Sequence, residues 1–232
     1  MFPTSFYIPA PTGSIAVLIL VLTTSALAAV PAFDPGDLPP GHELAVFAGG
    51  CFWCMEPPFD EMPGVTATIS GYTGGHLDNP TYRMVTRTDT GHYESVLVIY
   101  NPLRVSYREL LEVFWVNINP LDAGGQFCDR GPSYRSAIFP ANAAQRGLAE
   151  ASRAALADSD WAARWERPIA TVIRDLQAFW IAEDYHQDYY LEHSFNYTFY
   201  RSRCGRDERL ERLWGASDQR RSLIRMVLHP EG

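Results

Sequence analysis

The order of apolar segments along residues 43–193 is the feature that most restricts what this chain can fold into. Runs rich in β-branched and aromatic residues predict strands, and apolar residues at a 3.6-residue spacing predict helices. We predict strands over 43–48, 65–72, 93–100, 134–139 and 169–176, and helices after Cys51, from Ser106, near 141–157 and near 181–193. Up to residue 139 the order is strand–helix–strand–strand–helix–strand. That order is typical of an α+β two-layer sandwich with a ferredoxin-like core, here with added C-terminal elements.

Two boundaries follow from local chemistry. Ser106 and Glu109 form a capping-box pattern just before the apolar run LLEVFW, which predicts that a helix begins there. The segment TGGHLDNPTY, residues 73–82, is predicted to be a loop because glycine, asparagine and proline interrupt it.

We interpret the first 42 residues as a targeting segment followed by a linker. IAVLILVL (15–22) followed by SALAAVPA (25–32) is typical of a signal peptide, which we place over residues 1–28. The run is too short for a stable membrane span, and residues 29–42 are rich in proline, so we expect a linker and export, to the periplasm. Residues 1–14 contain no Arg or Lys, which departs from the usual signal peptide. An uncleaved anchor, or a mis-assigned start and a cytoplasmic protein, therefore stay open as alternatives.

The composition bears on the partners. Asp and Glu outnumber Lys and Arg by 27 to 19, and the net charge is −8, so binding to nucleic-acid phosphates is not expected. The 232 residues are enough for a well-buried core without a disulfide scaffold. We divide the rest of the chain into a catalytic domain over 43–200 and an Arg-rich tail over 201–232, and we expect a monomer.

The sequence GGCFWCMEPPF places Cys51 and Cys54 three residues apart and leaves several interpretations open. A zinc site would need a second close pair of soft ligands, but Cys128 and Cys204 stand alone. A disulfide across so short a loop would stabilise the fold little, and buried inert thiols are the plainest alternative. Gly49 and Gly50 favour a reactive role for Cys51. They would allow a backbone bend that places Cys51 at a helix N-terminus, where the pKa of a thiol is lowered.

The motif GGCFWCMEPPF resembles the signature of the A-type peptide methionine sulfoxide reductases. The similarity continues, in order, through GYTGG (71–75), NPTY (79–82), TGHYESVLVIYNP (90–102), YRSAIF (134–139) and AEDYHQDYY (182–190). A CGRD segment in the tail is similar to one in some members. The resemblance implies reduction of the S epimer of methionine sulfoxide, free or in proteins, without a cofactor or metal.

By this resemblance, Cys51 is the nucleophile, and it passes through a sulfenic acid after methionine leaves. Glu94 is the implied proton donor. Its apolar strand ESVLVIY agrees, because a buried carboxyl has a raised pKa and stays neutral. The alternative for Glu94 is a residue at the strand end that faces water.

The resemblance also implies the groups that hold the substrate. Tyr82 and Tyr134 would hold the sulfoxide oxygen, and Phe52 and Trp53 would form the wall against the substrate methyl group. Each of these aromatic residues is by itself more often a core residue than a site residue.

Three further residues have weaker assignments. Asp129 corresponds to a polar residue near the catalytic centre, although QFCDRGPSYRS departs from the common family pattern. His186 is a supporting residue of the substrate pocket, since a lone His among aromatic residues is more often structural. Cys128 is given no role, and a buried, inert thiol is the alternative left open for it.

Two cysteines are candidates to resolve the sulfenic acid. Cys54 is close in sequence and is expected to attack first. Cys204 lies between Arg201, Arg203 and Arg206, which would lower the pKa of its thiol, and it is expected to take over and present an exposed disulfide. The resemblance implies thioredoxin, or a thioredoxin-like protein, as the reductant.

Two other functions are weighed against this one. A thioredoxin-like dithiol–disulfide exchanger would use Cys51 and Cys54 but leaves Glu94 unexplained. An exported binding domain would use its cysteines only to hold its fold together. Treatment with dithiothreitol distinguishes them: the binding domain loses stability, the exchanger reduces insulin, and the reductase turns over methionine sulfoxide.

Overall fold

The computed structural model of the protein describes residues 31–229, so the predicted signal peptide and residues 29–30 of the linker lie outside the described residues. The strands are β1 (Glu43–Gly49), β2 (Val65–Thr73), β3 (Tyr93–Tyr100), β4 (Gly125–Gln126), β5 (Asp129–Arg130), β6 (Ser136–Phe139), β7 (Val172–Ile173) and β8 (Trp180–Ile181). The helices are α1 (Glu56–Asp60), α2 (Tyr82–Arg87), α3 (Tyr107–Val116), α4 (Ala143–Ala157), α5 (Asp160–Ala163), α6 (Tyr189–Glu192), α7 (Ser194–Cys204), α8 (Arg206–Trp214) and α9 (Ser217–Leu228). The predicted α+β class is confirmed.

A six-stranded mixed sheet organises these elements, in the order β7-β6-β1-β3-β2-β8. Its neighbours are antiparallel except for the β6–β7 pair. β4 and β5 form a separate hairpin beside it. The predicted strands 43–48, 65–72 and 93–100 agree with β1, β2 and β3 to within one residue at each end.

Both faces of the sheet are covered, which explains why β1 and β3 read as continuous apolar runs. On one face, Phe47 stacks between Phe59 of α1 and Phe114 of α3, with ring centroids 5.2 Å apart in each pair. On the other face, Val46 and Phe179 belong to a second buried cluster. Successive residues of β1 therefore enter opposite layers of the core.

The helix α3 begins as predicted. The Ser106 hydroxyl accepts from the Glu109 amide at 3.3 Å, and the Glu109 carboxylate accepts from the Ser106 amide at 2.8 Å. This reciprocal pair satisfies two amides that the helix leaves free at its start. None of the helices between residues 31 and 229 is long and apolar enough to cross a membrane.

Parts of the prediction differ from the structure. The strand 169–176 shortens to β7, and a helix that was not predicted, α2, follows the loop 73–82. The helix near 181–193 is wrong: the segment contains β8, a short 3-10 helix (Asp184–His186) and the single turn α6. Sheet pairing and an amide side chain replace helical bonds here, since Ala182 donates to the Ser70 carbonyl at 2.9 Å and Gln187 bonds both backbone groups of Ser70.

The C-terminal helices pack onto the same core. Trp214 of α8 stacks on Trp161 of α5, with the ring centroids 4.3 Å apart and the planes 6° from parallel. Both indoles are almost completely buried, and Ile224 of α9 is fully buried. The segment after residue 200 is thus joined to the domain by apolar contacts.

Candidate active site

The two close cysteines lie in a tight turn that follows β1. Gly50 has a φ of +86°, a left-handed conformation that favours glycine. A Cβ atom at this position would lie 2.5 Å from the Cβ of Gln126, so no larger residue fits without a shift. Cys51 then begins a short 3-10 helix, and the Cys54 amide donates to the Cys51 carbonyl at 3.1 Å. The turn holds both thiols against the end of the sheet.

Burial controls the acidity of these two thiols. Cys51 is 5% exposed and Cys54 is 1% exposed. Burial, and then the neighbouring Cys54, raise the pKa of Cys51 well above its ordinary value. The pKa of Cys54 is lowered to about 7, chiefly by a hydrogen bond from Cys51. The predicted lowering of the Cys51 pKa by a helix is wrong, because α1 has only five residues and begins at Glu56, beyond the turn.

Glu94 is a buried carboxyl beside this turn. It lies on β3 opposite Tyr72 of β2, and it is 1% exposed. Its Oε2 accepts from the Phe52 amide at 3.2 Å, while its Oε1 has no hydrogen-bond partner among the described residues. Burial raises the pKa of Glu94 to about 8. Near neutral pH the group is therefore a neutral acid with one oxygen free for a ligand.

Tyr82 and Tyr134 belong to separate elements, and both lie near the carboxyl group of Glu94. Tyr82 opens α2, and Tyr134 ends the 3-10 helix (Pro132–Tyr134) before β6. Burial, and then the charge of Glu94, raise the pKa of Tyr82 to about 12 and that of Tyr134 further still. Both hydroxyls are thus kept protonated, as donors next to the acid and Cys51.

An aromatic cluster surrounds His186 on the other side of the turn. The His186 ring lies 4.9 Å from the Phe52 ring, 4.5 Å from Tyr82 and 5.6 Å from Trp53, between centroids. The indole Nε1 of Trp53 donates to His186 Nδ1 at 3.2 Å, so the proton of the neutral ring is on Nε2. Burial lowers the pKa of His186 to about 4, which keeps the ring neutral. Tyr189 stacks on the outer face of Trp53 at 3.8 Å.

Glu183 is a positioning residue that the sequence did not single out. Its Oε2 accepts from the Tyr72 hydroxyl and its Oε1 from the Tyr82 amide, both at 2.9 Å. It thereby fixes the start of α2, and hence Tyr82, against the sheet. The block AEDYHQDYY contained this residue, but the helix predicted there concealed its role.

Asp129 lies at the rim of the site. Burial raises its pKa, and its Oδ2 accepts from the Tyr200 hydroxyl at 2.6 Å. The Tyr200 ring meets Trp53 edge to face at 5.9 Å, so the hairpin β4–β5 and α7 both border the aromatic cluster.

Cys128 and Cys204 form a disulfide. Cys128 is not a buried, inert thiol, because this residue is exposed and bonded to the tail. Cys204 offers no thiol in this state, and its predicted role in resolving a sulfenic acid stays a prediction. Cys51 and Cys54 are both free thiols.

One group of side chains has the residue types of a metal site. Ligand atoms of Cys128, Asp129 and Cys204 lie within 4.8 Å of one another. The two sulfurs are bonded to each other, however, and cysteine binds metal ions as a thiolate rather than as a disulfide. We therefore derive no metal chemistry from this group.

The fold carries a buried pair of thiols with an acid and two hydroxyls beside it. These features define an oxidoreductase whose own cysteine thiols take part in the reaction. The sequence model described as peptide methionine sulfoxide reductase matches residues 43–218, and the chain belongs to this family. It is 50% identical to peptide methionine sulfoxide reductase MsrA 2 of Caulobacter vibrioides over 198 residues, which cover 85% of this chain and 98% of the relative. It is also 50% identical to MsrA of Bacillus subtilis, over 75% of this chain and 97% of the relative.

Solved structures agree. Methionine sulfoxide reductase A of Corynebacterium diphtheriae is similar with a TM-score of 0.57 and 32% identity, covering 67% of this chain and 77% of that one. Reduced Mxr1 from Saccharomyces cerevisiae has a TM-score of 0.58 and 30% identity, covering 70% and 89%. The protein is an enzyme that reduces methionine sulfoxide.

Proposed function

We propose that the enzyme reduces the S epimer of methionine sulfoxide, free or in proteins, with Cys51 as nucleophile and Glu94 as acid. The observation that carries this proposal is the unpartnered Oε1 of Glu94, buried beside the Cys51 turn. A neutral carboxyl with a free oxygen supplies the proton that a sulfoxide oxygen needs before its sulfur can be attacked.

The first step transfers oxygen. The Cys51 sulfur attacks the sulfoxide sulfur, Glu94 protonates the sulfoxide oxygen, and the hydroxyls of Tyr82 and Tyr134 hold that oxygen. The oxygen then passes to Cys51: the transient bond between the two sulfurs and the S–O bond of the substrate break, an S–O bond forms on Cys51 to give its sulfenic acid, and the Cys51 thiol proton replaces the one that Glu94 donated. Overall, a thiol and a sulfoxide become a sulfenic acid and a thioether, so the substrate sulfur gains the two electrons that Cys51 loses.

The second step closes a disulfide. Cys54 attacks the Cys51 sulfenic sulfur, the S–O bond breaks, and the oxygen leaves as water with the two protons of the thiol and the sulfenic acid. The turn that the two cysteines share supports this order, since the Cys54 amide donates to the Cys51 carbonyl at 3.1 Å and keeps the two residues together. Cys204 follows only after its bond to Cys128 has been reduced.

The substrate methyl group lies against Phe52 and Trp53, with His186 holding the Trp53 indole in place. The supporting observation is the 3.2 Å hydrogen bond from Trp53 to His186, which fixes the orientation of the wall. A wall on one side and the Glu94 oxygen on the other make the pocket chiral, so only one epimer presents its sulfur to Cys51.

For the electron donor we propose thioredoxin or a thioredoxin-like protein that restores Cys51 and Cys54 by exchange. We also propose that the enzyme is an exported, periplasmic monomer that does not bind nucleic acid. The apolar segment 15–22 and the exposed Cys128–Cys204 disulfide support export, because such bonds persist in oxidising compartments.

A ferredoxin-like core is proposed for the fold. The strand order β6-β1-β3-β2, all antiparallel, with α1 after β1 and α3 after β3, supports it.

The preference for the S epimer is tested by turnover of racemic methionine sulfoxide with dithiothreitol as reductant. Chiral analysis then identifies the sulfoxide epimer that remains. We expect the S epimer to be consumed and the R epimer to remain. Equal consumption of both would contradict the proposed pocket.

A further inference from the structure

Arg206 is a buried cation beside the active-site turn that the reaction outlined above does not use. It opens α8 and is 1% exposed. Among the described residues no carboxylate lies within ion-pair distance of its guanidinium. A buried charge without a counter-charge destabilises a fold strongly unless something compensates it. Its environment therefore requires an explanation.

The guanidinium lies against both ends of the cysteine turn. Its Nη2 donates to the Gly49 carbonyl at 3.1 Å and to the Asn117 carbonyl at 2.7 Å, and it lies 3.1 Å from the Met55 sulfur. Its Nη1 lies 3.7 Å from the position that a Cβ of Gly50 would occupy. The group thus spans the residues before Cys51 and the residue after Cys54.

Two of its nitrogens remain free. Nε and Nη1 are buried and have no hydrogen-bond partner among the described residues. The Phe127 ring covers the guanidinium at 4.5 Å from carbon to centroid, which shields it from water. A cation held in this way stabilises negative charge that appears in the turn.

We propose that Arg206 is a positioning residue for the second step: it stabilises the Cys54 thiolate and so accelerates closure of the Cys51–Cys54 disulfide. This inference depends on the proposed function. The step is the one written above, in which the Cys54 sulfur displaces the oxygen of the sulfenic acid as water. Only the thiolate is an effective nucleophile toward that sulfur.

The other charged or titratable groups that face Cys54 divide into two sets. Arg201, like Arg206, lowers the pKa of Cys54, but it is paired with Asp207, which it contacts at 2.5 Å. Negative or neutral groups also face it: Cys51 in the same turn, and Glu94, Asp129, Tyr197 and Tyr200 on other elements. Arg206 is therefore the described cation near Cys54 that no carboxylate neutralises.

The C-terminal tail delivers this cation. Gly205, in a left-handed conformation with φ +64°, turns the chain between α7 and α8, directly after the Cys204 that is bonded to Cys128. The disulfide fixes this corner two residues before Arg206. A purely structural reading, in which Arg206 only anchors the tail, predicts lower stability but no change in the acidity of Cys54.

A single-turnover experiment separates the two readings. Enzyme with Cys51 and Cys54 reduced and the Cys128–Cys204 bond intact is mixed with methionine sulfoxide without reductant, and rapid quenching measures released methionine and remaining free thiols separately. With Arg206→Met we expect methionine release at the normal rate, closure about tenfold slower near neutral pH, and a pH midpoint of closure about one unit higher. Arg206→Lys, which keeps the charge, restores most of the rate.

The matched control is Arg212→Met, which removes an exposed cation of the same helix that pairs with Glu208; closure should be unchanged. If Arg206→Met closes at the normal rate with the normal midpoint, the proposal is overturned. If the wild type releases no methionine, the proposed function fails instead.

A second measurement does not depend on the folding of the variant. In Cys51→Ala protein, which lacks the hydrogen bond that residue 51 donates to Cys54, alkylation of Cys54 by iodoacetamide is followed against pH. A midpoint well below the ordinary thiol value of about 8.5 supports the proposal, and a midpoint at or above that value overturns it.

Discussion

The molecule contains two pairs of cysteines, and their surroundings differ in almost every respect. Cys51 and Cys54 are three residues apart, buried and reduced, next to an acid and two hydroxyls. Cys128 and Cys204 are separated by 76 residues and are bonded together at the surface. The same side chain thus occurs in two chemical settings: the buried pair lies beside proton donors, whereas the outer pair joins a loop to the tail.

The largest difference between the pairs should appear when each is removed. We expect Cys51→Ser to abolish methionine formation, because a hydroxyl is a far weaker nucleophile than a thiol. Cys128→Ser should retain the single-turnover yield of methionine. Equal loss in both variants would show that the outer pair takes part in the oxygen-transfer step.

The next effect concerns the acid beside the inner pair. Glu94→Gln keeps the shape of the side chain but removes its proton, so we expect oxygen transfer to slow by about two to four powers of ten. Single-turnover release of methionine measures this step. A near-normal rate would remove Glu94 from the mechanism.

The outer pair should matter for stability. In the chain-entropy model, closing a loop of 76 residues stabilises the fold by up to ~4 kcal/mol. Cys204→Ser should therefore lower the free energy of unfolding in urea, while Cys54→Ser should lower it much less. Similar losses would mean that the Cys128–Cys204 bond does not constrain the unfolded chain.

The smallest effect is a pH dependence that belongs only to the inner pair. The pKa of Glu94 in the folded enzyme is raised to about 8, so the acid is present below that pH and is lost above it. The contribution of Glu94 to the rate of methionine formation should be constant up to about pH 8 and fall about tenfold per pH unit above it. Glu94→Gln should not show this fall.

The raised pKa of Glu94 also determines how the stability of the fold changes with pH. Between the ordinary pKa of 4.5 and about 8, the folded state holds the Glu94 proton while the unfolded state releases it. The folded state binds more protons in this window, so the stability of the enzyme falls as pH rises through it. Thermal unfolding of Glu94→Gln should lack this part of the decline.

Local patterns predicted the parts of this structure that local physics determines. β1, β3 and the start of α3 depend on apolar runs and on a capping box, and each is visible in a few adjacent residues. The burial of Glu94 also agrees with its apolar strand. The roles proposed for Cys51, Glu94 and the aromatic residues come from the ordered family blocks rather than from composition or spacing.

What the sequence concealed depends on contacts between distant segments. Nothing near Cys128 indicates Cys204 as its partner, because the bond joins positions 76 residues apart. The acidity of Cys51 depends on burial by the whole core, which outweighs the short helix that follows. Glu183 and Gln187 stand in a segment with helical spacing, but the sheet edge takes up their hydrogen bonds instead.

The stacked pair of Trp161 and Trp214 gives the enzyme an optical signature. Two indoles stacked at 4.3 Å perturb each other's electronic transitions, so their near-ultraviolet circular-dichroism band depends on the contact between them. One ring belongs to α5 and the other to α8, the helix that begins with Arg206. The amplitude of that band therefore measures, without a label, whether the C-terminal helices are docked while the thiols change oxidation state.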